Sequence, residues 1–344
     1  MFRLVLLRAA MLALLIALML VPTSLTLGQR RFNLANCREI GFSVEEDFLS
    51  QGPTPADGNP IISDGDLLGR NGRICARNWD LVHDAFDVDQ DMGLDAADVI
   101  SIEQELVSFS TELDSPHGNF KAGDLLTNHG VVVPNQALLA AFGQYPDLGL
   151  DAVHFVGDTQ DIVGFLDYAR EKERDFWLQN PQAFPDQLKR RNIDLWFSIE
   201  GTLPIAGAPM ILDGDLLSAA TGTVVYRNSE WLWPPTPAGI PQRGVDFGLD
   251  GFGADCYGGR ETTRFSTEIL YRHEDPASAF TDGDVLAFGG GIVEKNWDLI
   301  AGFEPMSKMM GLDALTYPHW REECVVARER GYMPMIMRRY LQRP

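Results

Sequence analysis

The stretch SDGDLLGRNGRICARN, Ser63 to Asn78, decides the fold, because three later stretches align with it: KAGDLLTNHGVVVPN from Lys121, LDGDLLSAATGTVVYRN from Leu212 and TDGDVLAFGGGIVEKN from Thr281. The Gly-Asp pair opens at Gly65, Gly123, Gly214 and Gly283. A second glycine follows at Gly72, Gly130, Gly222 and Gly290, then an asparagine at Asn78, Asn135, Asn228 and Asn296. Working outward, a Phe-Ser step precedes each kernel at Phe42, Phe109, Phe197 and Phe265, and Gly-Leu-Asp closes it at Gly93, Gly149, Gly248 and Gly311. Matches in one order at this many anchors mark a repeat architecture.

Each part of the repeat has a physical reading. Phe-Ser-x-Glu alternates apolar and polar residues as a half-buried strand does. Leu-Leu, a turn such as Asn71-Gly72 and then Val-Val or Ile-Val predict a tight hairpin whose glycine supplies positive φ. The asparagine fits the N-cap of a short helical turn, with Leu81, Leu138, Leu232 and Leu299 three or four places on. Gly149-Leu-Asp-Ala-Val-His-Phe155 leads into another strand. A unit of about four strands cannot bury its own apolar face, so neighbours must share a core.

The expected fold is therefore mainly β: about four tandem four-strand repeats arranged as a β-propeller, with a stacked sandwich as the other arrangement. The Gly-Asp pairs are 58, 91 and 69 residues apart, and the long gap holds Ile162, Phe165, Leu166 and Ala169 at helical spacing. One inserted helix is expected there. The units fall near 42–98, 99–155, 194–252 and 262–317, with the insertion at 156–193. The proline-rich WLWPPTPAGIP from Trp231 reads as a surface loop with exposed tryptophans.

The N-terminus has the layout of a secretory signal over 1–28: Arg3 and Arg8, an apolar run from Ala9 to Val21, then small residues. An uncleaved anchor is the other reading, and the only membrane contact expected. The mature chain is thus expected outside the cytoplasm, secreted or at the cell surface, with a β-repeat domain over 29–320 and a basic tail over 321–344. The formal net charge is −21, which disfavours nucleic acid as a partner. Cys37, Cys75, Cys256 and Cys324 allow up to two disulfides in any of three pairings.

The order Phe-Ser, Gly-Asp-Leu-Leu, Gly-x-Val-Val-x-x-Asn and Gly-Leu-Asp-Ala resembles a repeat of exported bacterial proteins of no established activity, over roughly Phe42 to Tyr317. The pattern departs at Ala122 and Gly251. A more distant, fold-level likeness is to hemopexin-type four-bladed propellers, which gather ions in a central channel; it licenses no activity.

Chemistry concentrates in Asp87-Val-Asp89-Gln-Asp91-Met-Gly93-Leu-Asp95-Ala-Ala-Asp98. Alternate carboxylates followed by glycine resemble a calcium loop, so Asp87, Asp89, Asp91, Asp95 and Asp98 are candidate Ca²⁺ ligands. The glycine stands one place later than an EF-hand requires, and a repeat loop with extra acids is the plain alternative. The repeated Asp66, Asp124, Asp215 and Asp284, and Asp95, Asp151, Asp250 and Asp313, either cap turns or ring a channel that holds a cation. No GxSxG, HExxH or GxxxxGK signature occurs. The expected function is a non-catalytic, calcium-stabilised scaffold that binds carbohydrate or protein or serves a cell-surface structure. The alternative is a secreted hydrolase.

Overall fold

The structure, a computed structural model, describes residues 32–202, 210–231, 246–257, 260–271, 279–289 and 291–319. The leader, the basic tail with Cys324, Gly290 and the proline-rich loop beyond Trp231 lie outside the described residues. In chain order, β1 (Gly41–Phe42) precedes a small ribbon of β2 (Phe48–Leu49) and β3 (Ile61–Ile62), then β4 (Leu67–Gly69) and β5 (Arg73–Ala76). There follow β6 (Ala97–Ser101), β7 (Leu106–Phe109), β8 (Leu125–Thr127), β9 (Val132–Val133) and β10 (Val153–Val156). The later strands are β11 (Asp194–Phe197), β12 (Leu216–Ser218), β13 (Thr223–Tyr226), β14 (Phe252–Tyr257), β15 (Arg260–Phe265), β16 (Val285–Ala287), β17 (Ile292–Glu294) and β18 (Leu315–Thr316).

Four antiparallel four-stranded sheets result, in the orders β18-β1-β4-β5, β6-β7-β8-β9, β10-β11-β12-β13 and β14-β15-β16-β17. Each sheet takes its first strand from the Gly-Leu-Asp segment that ends the preceding copy, and the first sheet takes it from β18, the last strand among the described residues, where Phe42 pairs Leu315. These first strands stand side by side, β6 touching β10 and β18, and β14 touching the same two.

The mainly β propeller expectation is corrected. Among the described residues seven α-helices alternate with the strands, and the five sheets are separate and open, none closed into a barrel or propeller. The fold is mixed α/β. Helices enter because each hairpin runs directly into one at its asparagine: α1 (Asn78–Phe86), α2 (Asn135–Leu138), α6 (Asn228–Trp231) and α7 (Asn296–Ile300). The single inserted helix is likewise three, α3 (Thr159–Arg170), α4 (Arg174–Gln179) and α5 (Ala183–Arg190), and they lie between two strands of the third sheet. Pro181 lies between α4 and α5, and a proline cannot supply the backbone N–H that a continuous helix needs there.

Local sequence explains the hairpins. Asn71 and Gly72 both have positive φ, 63° and 70°, as a two-residue hairpin turn with the right twist demands. Three hairpins shift register just after Gly-Asp-Leu, between Leu67 and Leu68, Leu216 and Leu217, and Val285 and Leu286.

Apolar faces are buried between sheets rather than within them. Val107, Phe109 and Leu126 of the second sheet pack with Leu67 and Cys75 of the first, and Phe265 and Leu286 of the fourth with Trp196 and Leu216 of the third. The insertion fills the gap between the second and third sheets, where Ile162, Phe165, Trp177, Phe184 and Leu188 meet Leu125, Val133, Phe155 and Leu195. Trp231, expected at an exposed loop, is 3% exposed and donates from Nε1 to Gly214 O. No helix among the described residues is long and apolar enough to cross a membrane.

Cys37 and Cys75 form a disulfide across 38 positions, joining a 3-10 turn (Leu34–Cys37) to β5. A loop of that length lowers unfolded-state entropy by the equivalent of about 4 kcal/mol. The Cys37→Ser/Cys75→Ser double variant should lose stability, up to about that amount, in urea denaturation.

Candidate functional site

A buried serine sets the site's geometry. Ser43 Oγ donates to Leu94 O (2.9 Å), Ser110 Oγ to Leu150 O (2.7 Å) and Ser198 Oγ to Leu249 O (2.7 Å). Each bond runs from the Phe-Ser step of one sheet to the Gly-Leu-Asp segment that opens the next. Phe-Ser-x-Glu is thereby laid over Gly-Leu-Asp. The carboxyls of Glu112, Glu200, Glu268 and Glu45 press on Gly93, Gly149, Gly248 and Gly311, where a Cβ would collide with them. Only glycine serves at the first three for a second reason, a φ of +67° to +76°.

Beneath this exposed rim of glutamates lie Asp95, Asp151, Asp250 and Asp313. The last three are 5%, 7% and 9% exposed. One oxygen of each of the four, Oδ2, is buried without a hydrogen-bond partner. Ligand atoms of Glu45, Asp250 and Asp313 lie within 4.8 Å of one another, as do those of Asp95, Asp151 and Glu200, and those of Asp151, Asp213 and Glu268. A further buried group, Asp98, His154 and His319, has the same closeness. Several Asp/Glu/His clusters are thus capable of coordinating a divalent metal ion.

Burial and like charge together govern the acid ring. Burial, then the neighbouring carboxylates, raises Asp95, Asp151 and Asp250 well above the ordinary range. The same two causes put Asp313 at about 9, Asp213 at about 8, Glu112 at about 7 and Asp64 at about 6. Two ionised carboxylates about 5 Å apart repel by roughly 3 kcal/mol at an effective dielectric constant near 20. The ring therefore needs protons or a cation.

The other repeated set behaves differently. Asp66, Asp215 and Asp284 accept from the backbone N–H of Asn78, Asn228 and Asn296 through Oδ1, and from residues 63, 212 and 281 through Oδ2. Arg77 also bonds Asp66, and Arg174 bonds Asp124. These aspartates are spent on fastening the hairpin. The asparagines are not N-caps as expected but first helical residues. Their Oδ1 atoms accept from Met92, Leu148, Phe247 and Met310 N–H, which anchors the loop ahead of each Gly-Leu-Asp.

The five proposed loop ligands are dispersed. Asp87 has left-handed backbone (φ 57°) as the C-cap of α1, Asp89 is exposed 2.9 Å from His83 Nδ1, and Asp91 accepts from Gly93 N–H. Asp95 joins the acid ring, and Asp98 the group with His154 and His319. No cluster among the described residues contains two of the five. Sequence reasoning missed the glutamates, although Phe-Ser-x-Glu had been recognised as a strand; their common offset was the available signal. Compared with known families, curated proteins and solved structures, the chain finds no match in any of the three.

Acids raised on folding hold protons in the native chain after the unfolded chain has released them, so they lower stability as pH climbs. The metal-free protein should lose thermal stability steadily from pH ~4, the ordinary carboxyl range, up to about 9, the value of Asp313. Melting temperatures at pH 5 and pH 8 in chelator check this; equal values would contradict it.

Proposed function

We propose that the protein is an exported, non-catalytic scaffold whose centre is filled by calcium, and which presents that centre to a carbohydrate or protein partner at the cell surface. The observation that carries the reading is that the four inner aspartates, each with an unpartnered oxygen, fall into three close carboxylate clusters with Glu45, Glu200, Asp213 and Glu268. Hard, anionic oxygens gathered within 4.8 Å of one another suit Ca²⁺, which takes six to eight oxygen ligands in flexible geometry. Magnesium demands near-octahedral geometry and keeps its waters, and the zinc class favours nitrogen and sulfur donors.

The scaffold is favoured over the hydrolase by the equivalence of the acids. Acid–base catalysis by a carboxyl pair needs environments that push the two partners apart. Here burial and like charge push all four inner aspartates the same way. The glutamate rim faces solvent, so a bound ion keeps open positions that hydroxyls of a sugar or an acidic side chain of a partner can complete.

Calcium added to chelator-treated protein should bind measurably by calorimetry, raise the melting temperature and flatten its fall with pH. The Asp151→Asn/Asp313→Asn variant should lose the calcium response while gaining metal-free stability at pH 8, because neither position then has to take up a proton on folding. Absence of both heat and melting shift with calcium overturns the proposal.

A further inference from the structure

We propose that Asp98, His154 and His319 form a second cation site, separate from the acid ring and suited to a divalent ion of the zinc class. The three come from β6, β10 and the segment after β18, so three different sheets supply them. Asp98 and His154 stand at one offset from Gly-Leu-Asp, three residues beyond Asp95 and Asp151, and Thr316 and Gly253 occupy the same place in the other two sheets. One ligand atom from each of the three residues lies within 4.8 Å of the others. Their side chains are 0%, 4% and 8% exposed.

The arrangement leaves coordinating capacity unused. Asp98 Oδ2 accepts from Phe155 N–H at 2.7 Å, and Thr316 Oγ1 donates to Asp98 Oδ1 at 3.4 Å. His319 Nε2 lies 3.0 and 3.2 Å from the two carboxylate oxygens. His154 Nδ1 is buried without a hydrogen-bond partner, although it stands 3.4 Å from Asp98 Oδ1. An imidazole nitrogen at that burial, within ion-pair distance of a carboxylate yet without a well-formed hydrogen bond, has coordinating capacity for an ion. The two imidazole rings stack at 5.0 Å, and Phe252 closes the edge of His154 at 5.6 Å, so both rings are held in place. Two imidazoles and a carboxylate are a donor set that zinc accepts and calcium, which prefers oxygen alone, does not.

The site's reach gives it a role. β18 is two residues long and completes the first sheet from the far end of the chain. His319 N–H already donates to Val99 O, and Thr316 Oγ1 accepts from Val99 N–H. An ion on Asp98, His154 and His319 fastens that short last strand to the first strands of the second and third sheets.

Zinc titrated into the full chain under saturating calcium should bind with about one equivalent, and cobalt in its place should give the visible absorption of a low-coordinate site with nitrogen donors. His154→Phe and His319→Gln should each weaken zinc binding at least ~10-fold. His83→Ala, at the surface, should leave it unchanged. Should His154→Phe fail to fold, protection of His154 and His319 from diethylpyrocarbonate by zinc, read on wild-type peptides by mass spectrometry, gives the same answer. Lack of stoichiometric zinc binding beside calcium, undiminished binding in both histidine variants, or unprotected histidines overturns the site. None of these results bears on whether calcium fills the acid ring.

Discussion

The first three sheets are each fastened to the next by one buried hydroxyl, the serine of Phe-Ser-x-Glu reaching the leucine carbonyl of the following Gly-Leu-Asp. That bond sits where apolar faces of adjacent sheets already meet, and leaving its carbonyl unpaired there would cost about 1–3 kcal/mol. Its position fixes everything above it. Two residues along from the serine, the chain turns a glutamate outward; one residue along from the leucine, it turns an aspartate inward. Carboxylates from separate sheets are stacked because the hydroxyl leaves them nowhere else to go.

The same bond explains a cost the fold carries. Glu112, Glu200, Glu268 and Glu45 lie against glycines above the inner aspartates, and protons or cations relieve the repulsion among the acids. A core shared between sheets can sustain such a centre. Trp177, Phe184 and Phe165 between the second and third sheets, and Trp231, Phe265 and Phe252 between the third and fourth, supply large buried rings to that core. Hydrophobic burial holds the sheets together, and the acids at their junction set how that assembly responds to pH and metal.

Much of this was legible in the sequence, and the part that was not has a clear physical source. Gly-Asp, Asn and Gly-Leu-Asp at fixed offsets announced hairpins, helix starts and strand entries, because turn chemistry is local. Which aspartate set converges was not local: Asp66 and Asp95 look alike in sequence, yet Asp66 spends its oxygens on Asn78 and Ser63 N–H while Asp95 meets Asp151 across a sheet boundary. The expected loop site at Asp87 to Asp98 failed to gather for the same reason. Its alternating acids lie on a helix cap, an exposed turn and a strand, and only residues from other copies bring Asp95 and Asp98 their partners. The helix content was underestimated in the insertion, where three helices stand in place of one, and after Asn78, where the expected turn runs on to Phe86.

Asp98 shows how one strand serves two chemistries. Three residues separate it from Asp95, yet burial acts on the two in surroundings of opposite sign. Burial raises Asp95, and the carboxylates around it raise it further. Burial also acts to raise Asp98, but His319 and His154 outweigh it and hold the carboxyl below its ordinary range. Asp98 therefore contributes stability at neutral pH that is lost only in strong acid, while the acid ring contributes stability that is lost as pH rises. Asp95 stands two residues ahead of β6 and Asp98 within it, so one short stretch of chain links a carboxylate cluster to a histidine-lined one.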